Sequence, residues 1–163
     1  MSDVVLQALL EWNRAESRRW HTWFLAHPMA LDLSMGAGST STVRAVIRHV
    51  FAVDLRYAQR LVGLPVSALE TITDSDIAGL FALAERAHTL LAGWLANATA
   101  ADLDQSHTFM TLSAGERTAS ARKIVTHTCT HHVRHWAQVA TVLRMQGQKS
   151  DWPHDFLFSD SMQ

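Results

Sequence analysis

Four segments of this chain place apolar residues every three to four positions, the period of a helix that buries one face. The first, about residues 4–26, carries Leu6, Leu9, Leu10, Trp20, Trp23 and Phe24 along one side. It stops at His27-Pro28, because the residue before a proline avoids helical backbone. Residues 31–41 are rich in Gly and Ser and read as loop. The second helix runs from a cap at Ser41 or Thr42 to about Val62, with Val43, Val46, Ile47, Val50, Asp54, Tyr57, Ala58 and Leu61 on its stripe. Gly63, followed by Leu64-Pro65, closes it. The third is expected to start near Thr73 or Asp74, with Asp76 in its first turn. Its stripe is Ile77, Leu80, Phe81, Ala84, His88, Leu91, Trp94 and Leu95. The fourth spans about residues 118–146 and ends before Gly147. Between the last two, residues 108–112 followed by Ser-Ala-Gly predict a short strand or hairpin.

Four long helices with short connections make this an all-α chain, a four-helix bundle. The 163 residues form one domain, 1–163, large enough to bury about 68–70% of the unfolded surface. The tail, with Trp152-Pro153 and Phe156-Leu157-Phe158, is apolar enough to fold back onto the body. A formal net charge of −1 and the lack of a dense basic run argue against a nucleic-acid partner. No apolar run approaches the roughly 20 residues of a membrane span, and no charged leader precedes the first helix. A cytoplasmic location is expected. The single cysteine, Cys129, excludes an internal disulfide.

Ten histidines and six tryptophans are the compositional excess. His131 and His135 lie four apart on the last helix, hence on one face. Two such imidazoles can converge on one cation, and His49 on the second helix can supply a third nitrogen with a coordination position left open. His127 and His132 offer competing pairings: His127 extends the stripe by one turn, whereas His132 is rotated about 100° from His131. His88, on an apolar stripe, reads as a core histidine, and His21, His107 and His154, near element ends or in loops, read as solvated. The pair resembles half of the HExxH peptidase motif, but the position of the general base is occupied by His132. On the last helix His127, His131, His135, Gln138, Val142 and Met145 share one side. Val125, Cys129, Val133, Trp136, Ala140 and Leu143 share nearly the opposite one. Two surfaces to cover lead to the expectation of a homodimer.

The run from His127 through His131-His-Val-Arg-His135 to Gln138, ending Leu143-Arg-Met-Gln-Gly147, resembles the last-helix signature of the DinB/YfiT-like family. His49 followed five residues later by Asp54, and the tail 155–158, also resemble that family. Trp136-Ala137 stands where the family pattern has Arg-Gly, which is expected to alter the surface beside the site. The resemblance implies up-down-down-up connectivity and a divalent metal, zinc or nickel, on His49, His131 and His135. Nitrogen ligands fit those metals better than magnesium or calcium. It further implies a small-molecule enzyme that uses a low-molecular-weight thiol, as an S-transferase or an isomerase. A non-catalytic dimeric sensing or stress module and a metal-dependent hydrolase are the alternatives.

Candidates to support the ligands or to meet a substrate are Asp54, His127, Arg56 and Arg60. Asp54 either supports the ligands or pairs with an Arg or a Trp N–H. Asn13 and Glu16 interrupt the apolar side of the first helix, and either enter the same cavity or bond polar backbone at a helix crossing. Arg56 and Arg60 follow His49 at i+7 and i+11. They are either solvated or a clamp for a carboxylate.

Overall fold

The computed structural model describes residues 3–36, 38, 40–73, 76–111 and 114–162. Helix α1 (Val4–Ala26) starts where the Asp3 carboxylate accepts the Leu6 N–H at 3.1 Å. It gives way at His27 to a 3-10 turn over Pro28–Asp32. Helix α2 (Val43–Leu61) is capped by Thr42, not Ser41, through the Ala45 N–H. Gly63, at φ +71°, takes the left-handed conformation that ends it.

Helix α3 (Ile77–Asn97) begins later than the apolar pattern suggests. Asp76 is its cap, accepting the Gly79 N–H at 2.8 Å, rather than a first-turn residue. Thr73 lies outside the helix, and Asp74 falls outside the described residues. A short α4 (Ala100–Asp104) is closed by a Thr99–Asp102 capping box.

The fold is mostly helical but carries a small sheet. Strand β1 (Ser106–Thr111) pairs antiparallel with β2 (Gly115–Ser120). Facing Thr108 and Thr118 hydroxyls bond at 2.8 Å. This strand consumes the residues assigned above to the start of the last helix. Helix α5 (Ala121–Met145) therefore begins after Ser120, whose hydroxyl caps Lys123, and not at Thr118.

Helices α1 and α2 each pack against both α3 and α5. One core centres on Trp20, Phe24, Ile47, Phe51, Phe81, Trp136 and Leu143. A second gathers Leu10, Leu55, Leu91, Leu95, Ile124 and Cys129. Trp136 is buried and stacks on the fully enclosed Trp20 at 5.2 Å. It is thus a core residue and not the surface neighbour of the histidines that its place in the motif suggests. The apolar side of α5 is covered by the chain itself at Val125, Cys129, Trp136, Ala140 and Leu143, whereas Val133 stays exposed.

The tail does fold back. Phe156 meets Trp12 edge-on at 5.5 Å, while Leu157 and Phe158 remain exposed. Its anchor is Glu16, buried on α1, which accepts the Trp152 indole N–H at 2.9 Å and pairs with His154 Nδ1. Glu16 therefore holds the tail, and His154, stacked on Trp20, is not a solvated side chain. His21 stacks on Phe81 at 4.6 Å and His107 buries its Nε2, so neither is simply solvated. Asn13 follows the other course expected of it, donating to the Cys129 carbonyl at 3.2 Å across the α1–α5 crossing.

His88 is buried on α3 beside Glu11, Arg14, Arg18 and Glu85. Burial, aided by the Arg14 charge and opposed by Glu85, holds its imidazole down at about 4 from an ordinary 6.5. Between those values the unfolded chain binds the extra proton, so stability should rise with pH across that window and level off above 6.5. The contribution is on the order of 3 kcal/mol at full extent. Urea unfolding of the wild type and His88→Leu at pH 4.5 and 7.5 measures it. A smaller acid loss in the variant is expected, and an identical loss removes His88 as the cause.

Candidate metal centre

His49 reaches inward from the middle of α2, and His131 and His135 from one face of α5. Their Nε2 atoms face one another: His49 to His131 at 3.2 Å, and His131 to His135 at 3.1 Å. One nitrogen from each lies within 4.8 Å of the others. Ligands about 2.0–2.1 Å from a shared ion stand about 2.8–3.0 Å apart in octahedral and about 3.3–3.4 Å apart in tetrahedral geometry, and the two observed spacings fall between these values. Three converging nitrogen lone pairs repel unless a proton or a cation lies between them, so the donor set fits a divalent ion.

The electrostatics agree. Burial lowers the pKa of all three imidazoles, and His131, flanked by His135 and His49, is pushed down to about 3. Each is thereby kept neutral with a lone pair to donate. The Gln138 amide oxygen accepts from His135 Nδ1 at 2.7 Å, which assigns that proton and turns Nε2 inward. Gln138 sits one helical turn beyond its histidine, on the face that the sequence projection identifies.

Residues 1–162 match the profile of the DinB family. The chain belongs to the DinB family. Among curated proteins no match is found.

In this DinB-family chain the three imidazoles open onto a cleft of about 420 Å³. Of the other candidates, His127, Arg56 and Arg60 line it, and Asp54 does not. The His127 ring lies 5.2 Å from that of His131, extending the stripe as expected. Asp54 is buried against His132, so it pairs with neither an Arg nor a Trp and makes no direct contact with the three histidines. It acts on the neighbour of His131 instead. Asn13 and Glu16 face other parts of the molecule.

Among the lining residues that the sequence does not single out for the site are Arg134, Tyr57 and Phe109. Arg134 directly precedes a ligand candidate, and Tyr57 follows His49 at i+8; both signals were available. Phe109 comes from β1, and only the hairpin's return over α2 brings it there, with its ring 5.5 Å from Tyr57. Burial raises the Tyr57 phenol and lowers Arg60. Among the described residues no aspartate or glutamate lines the cleft, which leaves water activation there without a carboxylate base. Cys129 is buried in the opposite side of α5, and burial pushes its thiol up to about 12. It is inert as a nucleophile at neutral pH.

Proposed function

We propose that this chain is a divalent-metal protein of the thiol-dependent type: a low-molecular-weight thiol takes the coordination position that His49, His131 and His135 leave open, for S-transfer or isomerisation. The metal is zinc or nickel. The observation that carries the reading is the convergence of three imidazoles, with His131 Nε2 3.2 Å from that of His49 and 3.1 Å from that of His135, open to a cleft large enough for a small molecule. When bound there, a divalent ion favours the thiolate over the thiol. The protein's part is positional: Gln138 fixes the His135 ring, and Tyr57 and Phe109 wall the cleft. The thiol has to come from a small molecule, since Cys129 points elsewhere.

The proposal places the site on a bundle of up-down-down-up connectivity. Contacts Glu11–His88, Arg14–Glu85 and His21–Phe81 run in opposite sequence directions along α1 and α3. Asn13–Cys129 and Trp20–Trp136 run in the same direction along α1 and α5, and Tyr57–His127, Asp54–His132 and His49–His135 in opposite ones along α2 and α5. It also includes a cytoplasmic homodimer, for which the exposed Val133 and Met145 on α5 offer unpaired apolar surface. No helix among the described residues is long and apolar enough to cross a membrane.

The test is optical. Cobalt-substituted protein should gain a sulfur-to-cobalt charge-transfer band when 2-mercaptoethanol is added at millimolar concentration. An unchanged spectrum removes the thiol from the proposal and leaves the metal site standing.

A further inference from the structure

We propose that the cleft takes an organic carboxylate, gripped by Arg56 and Arg60 while the rest of the molecule reaches toward the three imidazoles. The inference rests on the reading of those imidazoles as the reactive end of the cleft, and it adds the chemical class of the substrate.

On α2 the residues His49, Val53, Arg56 and Arg60 follow one another at i, i+4, i+7 and i+11, and all four line the same cleft. At 1.5 Å per residue, Arg56 lies about 10 Å and Arg60 about 16 Å along the helix from His49. A ligand spanning from the imidazoles to the guanidinium groups is therefore an extended molecule and not a single small anion. Arg134, from α5, brings a third positive charge to the same space.

None of these charges is neutralised. No carboxylate lines the cleft, and among the described residues Arg56, Arg60 and Arg134 have no acidic partner. Elsewhere Arg14 and Arg18 share Glu85, Arg44 meets Asp32, and Arg122 meets Asp3 and Asp104, whereas among the described residues Arg19, Arg86, Arg117 and Arg144 pair with no acid. Arg134 is exposed at the rim, but Arg56 and Arg60 are half-buried, and two half-buried cations side by side without a counter-charge are stabilised when an anion joins them.

The head group is a planar one. The Arg60 guanidinium lies 4.5 Å over the Phe109 ring and 5.8 Å from that of Tyr57. Held over the ring in this way, the guanidinium has its planar fork of N–H donors available for a two-pronged bond to a carboxylate. Val53, Tyr57, Phe109 and Met110 give the cleft an apolar wall, which suits an organic body and disfavours a fully hydrated anion.

The probe is 4-phenylbutyrate, an extended aryl carboxylate without a thiol, titrated calorimetrically into zinc-loaded and metal-free protein. Its neutral analogue 4-phenylbutan-1-ol and the ester 4-phenylbutyl phosphate serve as comparators. The carboxylate should bind, the alcohol should bind at least about tenfold more weakly, and the Arg56→Gln/Arg60→Gln variant should lose at least about tenfold in affinity. Circular dichroism checks the fold of the variant, and Arg56→Gln alone carries the test if the pair disturbs it. Equal binding of acid and alcohol, undiminished binding by the arginine variant, or tighter binding of the phosphate ester would each overturn the proposal. Carboxylate binding in both protein forms stands whether or not the cobalt protein responds to a thiol. A thiol response without carboxylate binding removes this inference alone.

Discussion

His131→Ala should lower zinc affinity by at least about 100-fold while leaving the helical circular dichroism signal unchanged. His131 is the central member of the cluster, the one whose Nε2 lies within 3.2 Å of both others. Its removal leaves His49 and His135 as a two-nitrogen site, and among the described residues no carboxylate lines the cleft to replace the lost ligand. Loss of a supporting bond costs less, typically about 10–100-fold, so Gln138→Ala should fall between the variant and the wild type. The ranking matters more than either value, because a ligand and its orienting partner predict different depths of loss. Competition against a chromogenic chelator gives both affinities. Equal zinc affinity in His131→Ala and wild type would separate the histidine cluster from metal binding altogether.

Asp54→Ala should cost about 3–5 kcal/mol of stability, the usual loss when one member of a buried polar pair is removed and the other is stranded. Asp54 and His132 are each about 95% shielded from solvent, and they bridge α2 to α5 one residue away from His131. The variant abandons the His132 imidazole in that interior. Asp54→Asn keeps an acceptor for it and should lose less. For a domain of this size the Ala variant's melting temperature should fall by about 6–20 °C. Urea titration should show a lower midpoint at an unchanged slope. Combining Asp54→Ala with His132→Phe should recover part of the loss, since the stranded group is gone and the two sites are coupled. A change below about 1 kcal/mol for Asp54→Ala would mean that the pair contributes no net stability.

The helices were legible because each buries one face: the stripes of α1, α2, α3 and α5 hold most of both cores. So were the ligand candidates, since four-residue spacing on a helix is a geometric constraint and His49 lies on a second amphipathic helix, beside its buried stripe. What stayed hidden depends on contacts distant in sequence. Strand β2, Gly115–Ser120, has no alternating apolar pattern and exists through its pairing with β1, so its second half, Thr118 to Ser120, reads as the opening of the last helix. The Asp54–His132 and Glu16–His154 pairs span 78 and 138 residues. No local pattern tells either acid which base it will meet. Trp136 misled for a related reason: its place in the motif, beside a ligand, says less about its surroundings than the 100° that separates it from His135. That rotation carries it from the cleft to Trp20.

Phe109 shows the same limit within the site. A strand residue reaches the cleft only because the hairpin folds back over α2, and then it meets both Tyr57 and Arg60. The histidines could be anticipated from the helices that carry them. The Phe109 wall beside them could not.

X-ray absorption at the zinc edge of the loaded, thiol-free protein addresses the metal centre most directly. Three imidazole nitrogens at about 2.0–2.1 Å, with the remaining scattering from light atoms and no sulfur, is the predicted first shell. A shell built from carboxylate oxygens, one containing the Cys129 sulfur, or one unchanged in His131→Ala would contradict it.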